Sequence, residues 1–163
     1  MATFEDEIWI GPATPADIDG ITALFLEDMR DLGEQPDPTE LRATAAAMVE
    51  RNGNDVLISV ARTVADRVVG VVAANVFLSI KFPGLALWIE ELYVAPAMRR
   101  RGLAKRLVTE LLARAEGAGI RGVELEAYHM NTAAAVLYRS LGFRRLARER
   151  YSFDMKDWDG EDA

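Results

Sequence analysis

The stretch LWIEELYVAPAMRRRGLAKRL, Leu87 to Leu107, changes character twice, and those changes decide the fold. It opens inside a run from Leu85 to Val94 that alternates with a period of two and is apolar on both faces. Trp88, Leu92 and Val94 fall on one face and Leu87, Ile89 and Tyr93 on the other, which predicts a strand covered on both sides and therefore central in its sheet. From Gly102 the period becomes 3.6. Leu103, Ala104, Leu107, Val108, Leu111, Leu112 and Ala115 form one stripe, and Lys105, Arg106, Thr109, Glu110 and Arg114 lie opposite. Gly117 and Gly119 end that helix. Between the two elements stand Arg99, Arg100 and Arg101.

Outward from this segment the chain keeps the same economy. Glu7 to Gly11 reads as a short strand. Thr14, Pro15 and Asp17 then supply an N-cap, a first helical residue and a capping box for a helix that carries Ile18, Ile21, Phe25, Met29 and Leu32 on one face. Asp37, Pro38 and Glu40 open a second helix that should close near Arg51. Val56 to Thr63 and Val68 to Ile80, joined by a polar turn around Asp66, predict an antiparallel hairpin. After the Gly102 helix come a strand at Val123 to Ala127 and a helix from Asn131 to Leu141, closed by Gly142. Tyr151, Phe153 and Met155 alternate as a final strand before an acidic tail. The order β, α, α, β, β, β, α, β, α, β predicts one mixed α/β domain over residues 1–163.

Composition narrows the function. The chain has 163 residues, half of them apolar, enough to bury a core without metal or disulfide support. Its net charge of −7 repels polyanions, which disfavours general nucleic-acid or anionic-membrane binding and makes the arginine cluster a local exception. With no cysteine there is no thiolate nucleophile and no cysteine metal site, and the composition fits a reducing cytoplasm. The start, MATFEDEIWIG, is acidic where a secretory signal is basic. The longest apolar run, Val68 to Ile80, is interrupted by Gly70, Asn75 and Ser79 and is too short to cross a bilayer.

A central strand that hands over to a helix start through a glycine is a recipe for holding phosphate. The first helical NH groups lack internal partners, the helix dipole places positive charge there, and glycine admits close approach. The cluster alone also fits a solvated basic face or a surface nucleic-acid patch. The spacing fits neither a P-loop nor the Gly-x-Gly-x-x-Gly dinucleotide fingerprint. It does fit Arg/Gln-x-x-Gly-x-Gly/Ala, here Arg99-Arg100-Arg101-Gly102-Leu103-Ala104, placed after ELYVAP and before MNTAAAVLYRSLGF. In these residues the chain resembles the GNAT superfamily of acetyl-CoA-dependent N-acetyltransferases, nearest to its diamine-acetylating branch, over roughly residues 7 to 156.

That resemblance implies a GNAT-like fold: a central mixed, mostly antiparallel sheet of six to seven strands with about four helices on its faces. It implies pantetheine along the end of the Leu85 to Val94 strand, bonded to the backbone around Leu92, Tyr93 and Val94. The pyrophosphate would lie on Arg99, Arg100, Arg101, Gly102, Leu103, Ala104 and Lys105, with Asn131 a further cofactor contact. The strand after Leu92 would part from the Val123 strand to admit the cofactor. It also implies Glu90 as general base, acting directly or through water, Tyr138 as the acid that protonates the departing thiolate, and a backbone NH near Leu92 as oxyanion donor. No metal is implied, and a homodimer is common among similar proteins.

The chemistry asks for a base, since an alkylamine with a pKa near about 10.4 is about 99.9% protonated at neutral pH. Glu90 and Glu91 point to opposite faces of a regular strand, so at most one of them faces the reaction, and the doubling leaves open which. Asn131 and Tyr138 lie two turns apart on one helix face. His129 has nothing at the spacing of a triad or a metal site and reads as an exposed loop residue. Glu27, Asp28, Asp31, Glu34, Asp37 and Glu40 would favour a cationic amine, of a small molecule or a peptide, although some of them serve as helix caps. The resulting expectation is direct acetyl transfer from acetyl-CoA to a primary amine. The alternatives are a catalytically silent acyl-CoA-binding module, which needs neither Glu90 nor Tyr138, and a nucleic-acid binder.

Overall fold

The computed structural model describes residues 7–160. Five strands, β1 (Ile8–Pro12), β2 (Val56–Thr63), β3 (Val68–Ser79), β4 (Gly84–Val94) and β5 (Val123–Leu125), lie side by side in chain order. β1 to β4 pair antiparallel and β5 joins β4 in parallel. α1 (Ile18–Asp31) and α2 (Pro38–Glu50) connect β1 to β2, α3 (Leu103–Gly117) is the crossover from β4 to β5, and α4 (Thr132–Ser140) follows. A parallel pair needs such a crossover, so the amphipathic stripe after Gly102 and the direction of β5 are one fact.

The sheet is the middle of three layers. α1 and α2 cover one face, where Ile21, Phe25, Ala45 and Val49 meet Ile58, Val60, Val71 and Tyr93. α3 covers the other, where Leu103, Leu107, Val108 and Leu111 meet Leu57, Val72, Leu87, Ile89 and Val94. Leu107 and Leu111 are fully buried, each contributing about 1.5–3 kcal/mol. α3 lies close against β3, since a Cβ on Gly70 would stand 3.0 Å from Leu107 Cδ1. The helix starts are as the sequence predicts. The Thr14 amide donates to Asp17 Oδ2 at 2.7 Å, and Asp37 Oδ1 accepts from the amides of Thr39 and Glu40 at 2.9 and 3.0 Å. Asp17 is also gripped by Arg62 of β2 through two bonds of 2.5 Å, which ties the start of α1 to the sheet.

Two expectations change. Ala73 pairs with Glu91 and Ala74 with Ile89, so Glu90 is an extra residue in β4, a bulge that shifts the alternation by one. Leu92 and Val94 therefore join Leu87 and Ile89 on the α3 side instead of opposing them, while Tyr93 faces α1. The sheet also has five strands among the described residues, not six to seven. Residues 144–154 form no strand, and Tyr151, Phe153 and Met155 are exposed. The tail does pass near β5, where Arg150 pairs with Glu126 and lies 4.7 Å from the centre of the Trp88 ring. β5, paired only from Val123 to Leu125, presents too few outward backbone groups to template a neighbour. No described helix is long and apolar enough to cross a membrane.

Candidate active site

β4 and β5 pair at Leu87, Trp88 and Ile89 and no further. Beyond Ile89 the β4 edge is open, and the hydrogen-bond alternation shows which groups occupy it. The Ala95 amide donates to Val69 O across β3, so residues 95, 93 and 91 bond toward β3, and the backbone groups of Leu92 and Val94 point the other way. They face the gap left by β5.

Both edges of that gap carry ionisable side chains. Glu91, brought to the α1 side by the bulge, is half-buried, and its Oε1 accepts from the Leu92 amide at 2.9 Å. Its carboxyl is pushed up to about 8, first by burial, then by the Asp28 side chain of α1, with Glu90 adding to the effect. Two carboxyls in one small site share a proton more readily than they both ionise. Tyr138 of α4 is half-buried and pushed up to about 12, by burial and then by the charge of Glu91. Glu91 and Tyr138 thus feel one another across the gap. Glu90 sits on the bulge and is exposed.

At the mouth of the gap a short turn, Pro96–Met98, buries Met98 and leads into the arginine loop. Arg100 takes φ 63° and Gly102 φ 75°, both left-handed, a conformation that costs an L-residue such as Arg100 about 1–2 kcal/mol. The Arg106 amide makes a helical bond to Gly102 O at 3.1 Å, so the amides of Leu103, Ala104 and Lys105 precede it without helical acceptors. A left-handed turn feeding a helix start is a concave set of NH groups suited to an anion. Arg101 and Lys105 are exposed beside it.

Other predicted residues are employed differently. Arg99 folds back on the strand, its Nε donating to Val94 O at 2.9 Å and its guanidinium lying 5.1 Å from the centre of the Tyr93 ring. Tyr93 is buried, and its hydroxyl donates to Asp31 Oδ2 at 3.1 Å. Burial first, then Asp31, push that hydroxyl up to about 12. Asn131 caps α4, its Oδ1 accepting from the Ala134 amide at 3.0 Å, which leaves its NH₂ group for a ligand. His129 is exposed. Asp28 was seen in the sequence only as one of several acidic residues; its spacing from Leu24 and Phe25, which place α1 against the sheet, was the available signal. No described group of three or more His, Cys, Asp or Glu could hold a metal ion. A hollow of about 510 Å³ beside Trp9, Arg62 and Arg106 lies at the β1 edge, away from these groups. Its Arg62 is committed to Asp17.

The profile of the acetyltransferase (GNAT) family matches residues 18–143. An uncharacterized protein of Mycobacterium leprae is 35% identical over 147 residues, covering 90% of this chain and 37% of the relative. A [ribosomal protein bS18]-alanine N-acetyltransferase of Haemophilus ducreyi is 36% identical over 72 residues, covering 44% of this chain and 50% of the relative. The chain thus spans half or less of the length of these curated relatives. Among solved structures, AAC(6')-Iy in complex with a bisubstrate analog, CoA-S-monomethyl-acetylneamine, superposes with a TM-score of 0.77 at 16% identity, covering 91% of this chain and 99% of that one. That likeness is one of fold.

Proposed function

This chain belongs to the GNAT acetyltransferase family, and on that premise we propose that it moves the acetyl group of acetyl-CoA to a primary amine, with Glu91 as base and Tyr138 as acid. The observation that carries the reading is the pair itself: a half-buried carboxyl and a half-buried phenol, each displaced upward, facing one gap between parted strands. A silent binding module has no use for two such groups.

The residues fit the co-substrate. Leu92 NH and Val94 C=O point into the gap, as a chain of amides requires, and the left-handed turns at Arg100 and Gly102 lead into the free amides that a diphosphate requires. Acetyl-CoA supplies an activated acyl group; everything else comes from the chain. The amine arrives protonated, and freeing it costs about 4 kcal/mol at neutral pH unless a base takes the proton. Glu91 suits this role better than Glu90, because it lies against Asp28 and its charge acts on Tyr138 while Glu90 is exposed. Tyr138, held neutral, donates a hydrogen bond to sulfur as negative charge develops there. Glu27, Asp28 and Asp31 on α1 lie toward Glu91 and Tyr93, which favours a cationic acceptor. A relative named for acetylating an alanine of ribosomal protein bS18 and a neighbour bound to an acetylneamine analog support the amine class, protein or small molecule.

The test is release of free coenzyme A thiol from acetyl-CoA across a panel of peptide N-termini, polyamines and aminoglycosides. Turnover on at least one amine is expected. Tight cofactor binding with no turnover on any amine would return the silent module, and no uptake of any CoA species by folded protein would remove the reading altogether.

A further inference from the structure

The open edge of β4 is already occupied by the chain's own side chains. Leu92 NH is held by Glu91 Oε1 at 2.9 Å, and Val94 O is held by Arg99 Nε at 2.9 Å. An amide-bearing ligand lying along this edge needs those same two groups, an acceptor opposite Leu92 and a donor opposite Val94. We propose that Glu91 and Arg99 are built-in caps of the β4 edge, displaced together when an acyl-CoA docks, so that docking and release of the Glu91 carboxyl toward the amine are one event. This rests on the acetyl-transfer reading.

The geometry makes each displaced cap useful where it goes. Arg99 opens the basic loop, so on leaving Val94 O its guanidinium adds to the charge beside Arg100 and Lys105. Glu91, released from Leu92 NH, faces Asp28 of α1, Glu90 on its own strand and Tyr138 of α4, while Glu27 and Asp31 of α1 stand toward the neighbouring Tyr93. These are acidic or phenolic groups, an environment that a cationic amine relieves. The acyl-CoA should therefore bind first and the amine second. The caps also satisfy a sheet edge that would otherwise present unpaired backbone groups.

Removing a cap removes a competitor. Glu91→Ala should bind acetyl-CoA about three- to tenfold tighter than the parent by titration calorimetry at pH 7, the worth of one hydrogen bond, while turning over more slowly. Glu91→Gln keeps an acceptor oxygen for Leu92 NH, and should tighten less. Equal tightening by both variants would show that the acceptor oxygen is not the competitor and overturn the cap, as would unchanged or weaker binding in Glu91→Ala. Because Leu92 NH stabilises the ionised carboxylate, its loss on docking pushes the Glu91 carboxyl higher still, so the parent should take up part of a proton on binding near pH 8, seen as a dependence of the heat on buffer ionisation enthalpy and lost in Glu91→Ala. A parent that binds with no proton uptake, or that releases a proton, overturns the coupling. A parent that binds no CoA species fails the acetyl-transfer reading and this inference with it.

Discussion

Among the described residues, every buried one lies between Gly11 and Ala115, while Glu116 to Gly160 contain none. The first region is a sheet sealed on both faces. The second, comprising β5, α4 and the tail, is held by partial contacts: Val123, Leu125, Leu141 and Phe143 rest against the α3-side core, and Tyr138 meets Phe143 edge-on at 5.7 Å. The two halves of the proposed chemistry are divided between them, Glu91 in the stiff region and Tyr138 in the loose one. Stability and turnover should therefore answer to different substitutions.

The sharpest contrast comes from paired truncations. Leu107→Ala should cost about 2–5 kcal/mol in urea unfolding, because a fully buried leucine leaves a cavity. Equal tolerance of that change and of one in α4 would erase the distinction between the regions. Tyr138→Phe should leave unfolding and cofactor affinity near those of the parent and slow turnover by about a hundredfold or more; an unchanged rate removes Tyr138 from the mechanism. Glu91 gives an effect on stability that depends on pH. The folded chain keeps its carboxyl proton up to about 8 while the unfolded chain loses it near 4.5. Stability should thus fall as pH rises between those values, by at most about 1.4 kcal/mol per unit, and Glu91→Gln should flatten that slope and the acidic limb of the rate profile. The smallest effect belongs to Val136→Ala on the exposed face of α4, within about 0.5 kcal/mol by the same unfolding measurement.

Helix starts were readable because their determinants are local. Thr14, Asp17 and Asp37 act on amides two or three residues away, and each appears where its side chain predicts. The arginine loop was readable for the same reason, since Gly102 and the helix stripe that follows it are adjacent in sequence. The bulge was not. Whether Glu90 has a partner depends on Ala73 and Ala74 in another strand, so alternation within β4 put Leu92 and Val94 on the wrong face. The doubled Glu90-Glu91 was its only trace, an interruption that a single strand cannot phase. The tail erred in the opposite sense. The alternation of Tyr151, Phe153 and Met155 is real, but a strand needs a neighbour, and three residues of β5 do not provide one. Arg99 was read as a phosphate contact from its position in the loop; that its guanidinium returns to Val94 O is a matter of three dimensions.

The bulge also sets a rule of length. Excising Glu90 would close the ladder and leave every downstream side chain on its present face, since Ile89 already pairs with Ala74 and Glu91 with Ala73, whereas one further residue absorbed into the ladder would rotate everything downstream by half a turn about the strand axis. The carboxyl now beside α1 would then be driven into the apolar layer under α3, and leucine would stand where an amine must pass. At this place in the chain the number of residues matters more than their kind, and a conservative exchange should be survivable where a single-codon insertion is not.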